Sequence, residues 1–201
     1  GLYQAKRSIV NKNKCILVEG YMDVISMSQS GIENVVASSG TSLTQGQTRL
    51  IHRFTDNVTV IYDSDAAGIK ASLRGIDILL AEGLDIKVLL LPDGDDPDSF
   101  AQTHTTEEVD FIRFKTDILL KDAANDPIAR AKAVANIVGS IAVIPEELKR
   151  NEYIRECSQR FLIDDAMLTR QVAVARTKRL EQLDEKERRR ASRESIYNLP
   201  G

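Results

Sequence analysis

Tryptophan is absent from these 201 residues, aromatic side chains make up only 5%, and cysteine and histidine occur twice each. So few aromatics leave little material for a platform on which unpaired bases could stack. Cys15 and Cys157 show no Cys-x-x-Cys spacing and no nearby histidine, which argues against zinc ligation. They read as reduced, buried thiols of a cytoplasmic protein. The most apolar stretches, such as Ile86–Leu91 and Ile141–Ile144, fall far short of the ~20 residues that span a bilayer. No basic start followed by an apolar run resembles a signal peptide. The chain opens on Gly1 rather than Met, so a fragment of something longer is expected.

What is present suits a folded protein. Hydrophobic residues make up 42% and charged residues 28%, enough to bury a core. The length allows one or two domains. A net charge of -3 hides an asymmetry. Residues 1–110 hold 9 Lys+Arg against 16 Asp+Glu, residues 111–175 hold 10 against 9, and residues 176–201 hold 8 against 5. Eight of the 16 acids in the first part lie in three clusters: Glu19 and Asp23; Asp63 and Asp65; Asp93, Asp95, Asp96 and Asp98. That acidity is concentrated, unlike a coat of solubilising charge.

The pattern along the chain is strand and helix in alternation, then helix alone. Cys15–Val18 is a continuous apolar run, which predicts a strand buried on both faces. A helix is expected over Tyr21–Gln29, stopped by Gly31. Val35–Ala37 predicts a second strand, leading into the Ser38–Ser42 loop, and Thr44–Phe54 a helix. Val58–Tyr62 reads as a third strand, rich in β-branched residues. Ala66–Ala81 has the helical period and is closed by Gly83. Ile86–Leu91 makes a fourth strand. This predicts a mostly parallel four-stranded α/β sheet flanked by helices. From about Glu107 only helices are expected, beginning with Val109–Leu120. Pro127 opens the next, Pro145 ends it, and Asp164-Asp165 cap a last one. The expected division is a core over 1–105, a small all-α subdomain over 106–178 and a charged linker or tail over 179–201. In that tail Glu181–Ser195 mixes signs and reads as a solvated helix or a linker, with an Arg run that could touch nucleic acid.

In parallel sheets, sites lie beyond the carboxyl ends of the strands. All three acidic clusters follow strands at that end. Carboxylates gathered there repel one another unless a cation is present. An all-oxygen set suits Mg²⁺ or Mn²⁺ rather than zinc. Two such ions suit phosphoryl chemistry. The plainer reading is that these acids are turn residues and helix caps, Asp23 among them. It explains any one cluster well, but not three at strand ends. Lys70 and Arg74 follow Asp63-Ser64-Asp65 and could face phosphates, although plain solvent exposure is the default.

Four segments occur in order: Val18-Glu19-Gly20-Tyr21-Met22-Asp23-Val24; Ala37-Ser38-Ser39-Gly40-Thr41-Ser42-Leu43-Thr44; Tyr62-Asp63-Ser64-Asp65-Ala66-Ala67-Gly68; and Leu91-Pro92-Asp93-Gly94-Asp95-Asp96-Pro97-Asp98. Together they closely resemble the Toprim core of bacterial DnaG-type DNA primases, strongly over residues 1–105 and more weakly to about 175. A Glu followed later by Asp-x-Asp alone would indicate only the wider Toprim group, which includes topoisomerases and some nucleases.

The resemblance implies a DNA-templated RNA polymerase that makes primers for replication by nucleotidyl transfer. It implies catalytic and metal-holding roles for Glu19, Asp63 and Asp65, with Asp96 and Asp98 as further ligands. Asp23, Asp93 and Lys70 would be accessory. Two or more Mg²⁺ or Mn²⁺ ions, NTPs and a single-stranded DNA template are implied, in a cytoplasmic monomer without membrane contact. The zinc-binding domain, most of the basic N-terminal part and the helicase-binding domain are expected to be absent here. Weak template binding and little activity are therefore expected of this chain alone. The rivals are another Toprim enzyme, a phosphatase with Asp-x-Asp after a strand, and a non-catalytic docking module for a replication partner.

Overall fold

The computed structural model describes residues 1–38, 43–62, 69, 73, 75–91 and 108–197, with side chains to 193. Helix α1 (Leu2–Lys12) leads into β1 (Cys15–Val18), α2 (Tyr21–Gln29), β2 (Val35–Ala37), α3 (Gln45–His52) and β3 (Asn57–Tyr62). Then come α4 (Asp77–Ala81), β4 (Asp85–Leu90) and β5 (Val109–Asp110). Four helices follow: α5 (Phe111–Ala123), α6 (Pro127–Val143), α7 (Glu147–Phe161) and α8 (Asp165–Tyr197).

The sheet has the order β2-β1-β3-β4-β5. The first four strands pair in parallel and β5 runs antiparallel to β4. The fifth strand departs from the expected four. It has two residues, Val109 opposite Val88 and Asp110 opposite Lys87, too few to show a two-residue period. Asp110 also accepts a hydrogen bond from the Arg113 amide at 3.1 Å and so caps α5, which starts two residues later than the sequence pattern suggested. Another difference lies in the expected helix 66–81. Ile69 and Leu73 are helical and buried, but Gly75 and Ile76 form a turn and α4 restarts at Asp77. Glycine inside a helix gives up about 1 kcal/mol relative to alanine, which weakens the chain at that point. Helix α1 carried no sequence signal because it buries only Ala5 and Ile9.

Alternation along the strands supplies two apolar faces, as the unbroken run Cys15–Val18 predicts. On one face Ile16, Val18, Val35, Ile61, Leu89 and Leu91 pack with Met27 of α2. On the other, Cys15, Leu17, Val36, Val58, Val60, Ile86 and Val88 join a larger core. That core continues through Leu79 and Leu80 of α4 to Phe111, Ile137, Ile141, Phe161 and Leu168 of the helices. Each fully buried side chain of this kind is worth about 1.5–3 kcal/mol relative to exposure. Sheet and helices therefore share one apolar interior. Side chains also cap further helices, and of these caps the sequence pattern named Asp164 alone. Thr44 accepts from the Gln47 amide, Asp126 from Ile128 beside Pro127, and Asp164 from Met167. Gly31 and Gly83 take positive φ, 88° and 95°, where a side chain would be strained.

Candidate functional site

The sheet edge is built by register. Leu17 lies opposite Val60, Val18 opposite Ala37, and Tyr62 opposite Leu90. The Ser38 amide donates to the Val18 carbonyl at 2.9 Å and the Leu91 amide to the Tyr62 carbonyl at 3.1 Å. The carboxyl ends of β1 to β4 thus lie side by side. Glu19-Gly20 follows β1 and Ser38 follows β2 at that edge, and β3 and β4 end there at Tyr62 and Leu90. Those four strand ends share one edge; of the expected acids beyond them, only Glu19 and Asp23 lie among the described residues.

Of the acids singled out, Glu19 and Asp23 lie among the described residues. Asp63, Asp65, Asp93, Asp95, Asp96 and Asp98 lie outside them, as do Lys70, Arg74 and the Gly40–Ser42 loop. Among the described residues no three His, Cys, Asp or Glu side chains group so as to hold a metal. Glu19 is exposed just past the end of β1. It acts electrically on Tyr62, the last residue of β3, whose phenol is pushed above its ordinary range first by burial and then by the charge of Glu19. Tyr62 immediately precedes Asp63 in the chain, so Glu19 stands next to the strand end that leads into Asp63-Ser64-Asp65. Tyr62 was not singled out from sequence. Its place as the last residue of a buried strand before an acidic pair was the available signal.

Asp23 has a clear local task. Its carboxylate accepts the Gly20 amide at 3.0 Å, closing the start of α2. A β-carbon at residue 20 would lie 3.2 Å from Asp23 Oδ2, so glycine lets the carboxylate come close. The bond fixes the peptide directly after Glu19. Tyr21 is 65% exposed and Met22 is 72% exposed. Both stand on the outer side of α2 and only Met27 of that helix is buried.

Other polar groups serve the fold. Glu108 accepts Lys14 at 2.6 Å and the Thr59 hydroxyl at 3.0 Å, and lies 3.7 Å from Lys87. Burial opposes its ionisation, but these partners hold its carboxyl below the usual range. His52 sits 3.0 Å from Asp56 and 3.6 Å from Glu82. Lys115 is 3% exposed, donates to Ser140 Oγ at 2.6 Å and lies 3.7 Å from Asp77. Cys15 and Cys157 are free and buried, as expected. No described helix is long and apolar enough to cross a membrane.

Comparison with known proteins gives two family matches. Residues 16–101 match a Toprim-like family, and residues 112–166 match the DnaB-helicase binding domain of primase. The second match revises the expectation that no such domain occurs in this chain. The chain is 33% identical over 192 residues to a DNA primase of Halalkalibacterium halodurans, covering 88% of this chain and 31% of that protein. It is 40% identical over 156 residues to a DNA primase of Clostridium acetobutylicum, covering 72% and 26%. The chain thus spans less than a third of the length of either relative. Among solved structures it is similar to a DnaG primase catalytic domain bound to ssDNA, with a TM-score of 0.66 and 29% identity over 79% of this chain and 55% of that one.

Proposed function

The chain belongs to the bacterial DnaG-type primase family, as a fragment of such an enzyme, and from this premise we propose that its sheet edge is the metal-holding half of a nucleotidyl-transfer site. The observation that carries the reading is the register that delivers the ends of β1, β3 and β4 to one edge. An all-carboxylate donor set fits a hard divalent cation, Mg²⁺ or Mn²⁺. Glu19, Asp63 and Asp65 hold it in this proposal, Asp96 and Asp98 add ligands, and Asp93 and Lys70 are accessory. Two such ions, when bound, acidify an attacking hydroxyl and stabilise a leaving oxygen.

The reaction joins a primer 3′-hydroxyl to the α-phosphate of an NTP, and pyrophosphate leaves. Within it the residues of this chain bind and orient. Asp23 positions Glu19 by holding the Gly20 amide. Tyr62, buried beneath the edge, walls the site on the sheet side. Helices α5 to α7 fall in the matched helicase-binding region, and we assign to them a part in helicase contact. The unit division proposed is a Toprim core over 1–105, helices over 106–178 and a tail beyond. Residues 1–110 are net acidic. Template affinity of the whole enzyme is therefore assigned mainly to other, basic parts, and this chain alone should make little or no primer.

Asp65→Asn tests the reading. A carboxylate that serves metal repels its acidic neighbours in the metal-free chain, so on this reading the melting temperature of the metal-free variant should stay the same or rise. In the full-length enzyme primer synthesis should be lost. A large fall in the metal-free melting temperature, with synthesis retained, would return Asp65 to a structural role.

A further inference from the structure

Two arginines meet where α6 ends. Arg150 of α7 donates from Nη1 to the Ile144 carbonyl at 2.7 Å and to the Pro145 carbonyl at 2.8 Å. Arg176 of α8 donates from Nη1 to the Ala142 carbonyl at 3.0 Å and to the same Ile144 carbonyl at 3.1 Å. The shared oxygen holds two guanidinium groups side by side, and both residues are half-buried. Carbonyls at a helix C-terminus attract cations, so capping accounts for the two Nη1 groups. It leaves unexplained why like charges are held together with no acid between them. Among the described residues no carboxylate lies within ion-pair distance of either arginine. Glu147 attracts Arg150 without pairing with it, and Glu146 is engaged by Lys149 at 3.3 Å. Burial and the Arg176 charge hold Arg150 below its ordinary basicity. Arg179, three residues further along α8, is also half-buried and adds a third cation.

We propose that Arg150 and Arg176 form a binding site for the phosphate group of a small molecule. With Nη1 occupied, each guanidinium keeps its Nε–Nη2 edge, which has no protein acceptor among the described residues. That edge is the fork that grips an oxyanion through two parallel hydrogen bonds. Two forks need more oxygens than one carboxylate supplies, and two unpaired cations call for a dianion; a phosphate group meets both needs. The exposed Glu146 and Glu147 lie one turn before Arg150, which favours a compact anion over a long polyanion. The site is separate from the acidic edge. A β-carbon at Gly83 would lie 3.6 Å from Pro145, and Gly83 precedes β4, so the arginines stand by the amino end of that strand. A phosphate held by both forks ties α7 to α8 where α8 leaves the bundle, since every residue from 180 to 193 is exposed.

The test uses the whole 201-residue chain in EDTA, so the outcome is independent of the acidic edge and its metals. Inorganic phosphate and glycerol 3-phosphate are titrated by calorimetry at constant ionic strength, and the tighter of the two identifies free or esterified phosphate as the source. Binding should saturate at one phosphate per chain. R150K/R176K keeps both charges and a donor for each carbonyl but removes the forks. It should weaken phosphate binding by about tenfold or more, with unchanged circular dichroism. E147Q, an exposed change that leaves the caps intact, removes the nearby acid and should bind phosphate more tightly than the parent. Absence of saturable binding by the parent would overturn the proposal, as would parent-like affinity in R150K/R176K or weaker binding by E147Q. Acetate binding as tightly as phosphate would mark a site for an acidic side chain and overturn it too. So would displacement of phosphate by oligodeoxythymidine at equal charge, which would mark a strand-binding surface.

Discussion

Tyr62 reports on Glu19 without any metal present. Its phenol is raised by burial and by the neighbouring carboxylate. Glu19→Gln removes the charge that disfavours the phenolate, so Tyr62 should titrate at lower pH in that variant, followed by ultraviolet difference spectra. An unchanged titration would separate the two residues and weaken the case that Glu19 stands at the end of β3. At this scale the sequence was informative about type and silent about task. Glu19 and Asp23 share one motif, yet Asp23 caps α2 through the Gly20 amide while Glu19 remains exposed beyond the strand. Spacing cannot separate the two because both are acids near a strand-to-helix turn. The cap was among the readings available for Asp23, and its hydrogen bond favours that reading. Tyr21 shows the opposite outcome: an aromatic next to a strand end suggests packing, but it lies on the outer side of its helix.

Elements bounded by glycine, proline or a capping side chain were legible, even α2 with Met27 alone buried. Helix α2 matches its expected bounds, and β3 and α6 begin and end within a residue or two of theirs, because periodic apolar residues, prolines and capping side chains mark them. Helix α1 and strand β5 offer two core-facing positions or fewer than one full alternation, so no period could emerge. The break at Gly75 lay inside an otherwise unbroken helical period, which masked it. Contacts between elements are beyond sequence altogether. Lys115 of α5 reaches Ser140 of α6, and the Ser140 hydroxyl donates to Asp77 of α4 at 2.8 Å. Burial lowers the Lys115 pKa and Asp77 opposes that shift. Asp77→Ala strands a buried ammonium and should destabilise the chain by about 3 kcal/mol. Lys115→Met leaves Asp77 its Ser140 partner and should change stability by less than about 1 kcal/mol. Urea denaturation checks both. Equal losses in the two variants would show that the ion pair itself, rather than the unpaired charge, sets the stability.

The whole molecule binds its protons more firmly than an unfolded chain does at alkaline pH. Burial pushes the Cys15 thiol up to about 12 and the Cys157 thiol to about 11, and lifts the phenols of Tyr62 and Tyr153 above their usual range. Unfolded, these groups release protons between about pH 8.5 and 10. The folded state then holds more protons, so stability falls as pH rises through that window. Lys115 acts in the opposite sense, but with one proton against four. Denaturation midpoints should therefore drop steadily from about pH 8.5 upward, and a flat profile would contradict the burial of these groups. The sheet order positions the larger claim, that separate acidic segments meet at one edge to hold divalent metal. Crystals soaked in Mn²⁺ test it most directly. Anomalous scattering is expected among Glu19, Asp63 and Asp65 and extending toward Asp96; peaks found only elsewhere at saturating Mn²⁺ would contradict it.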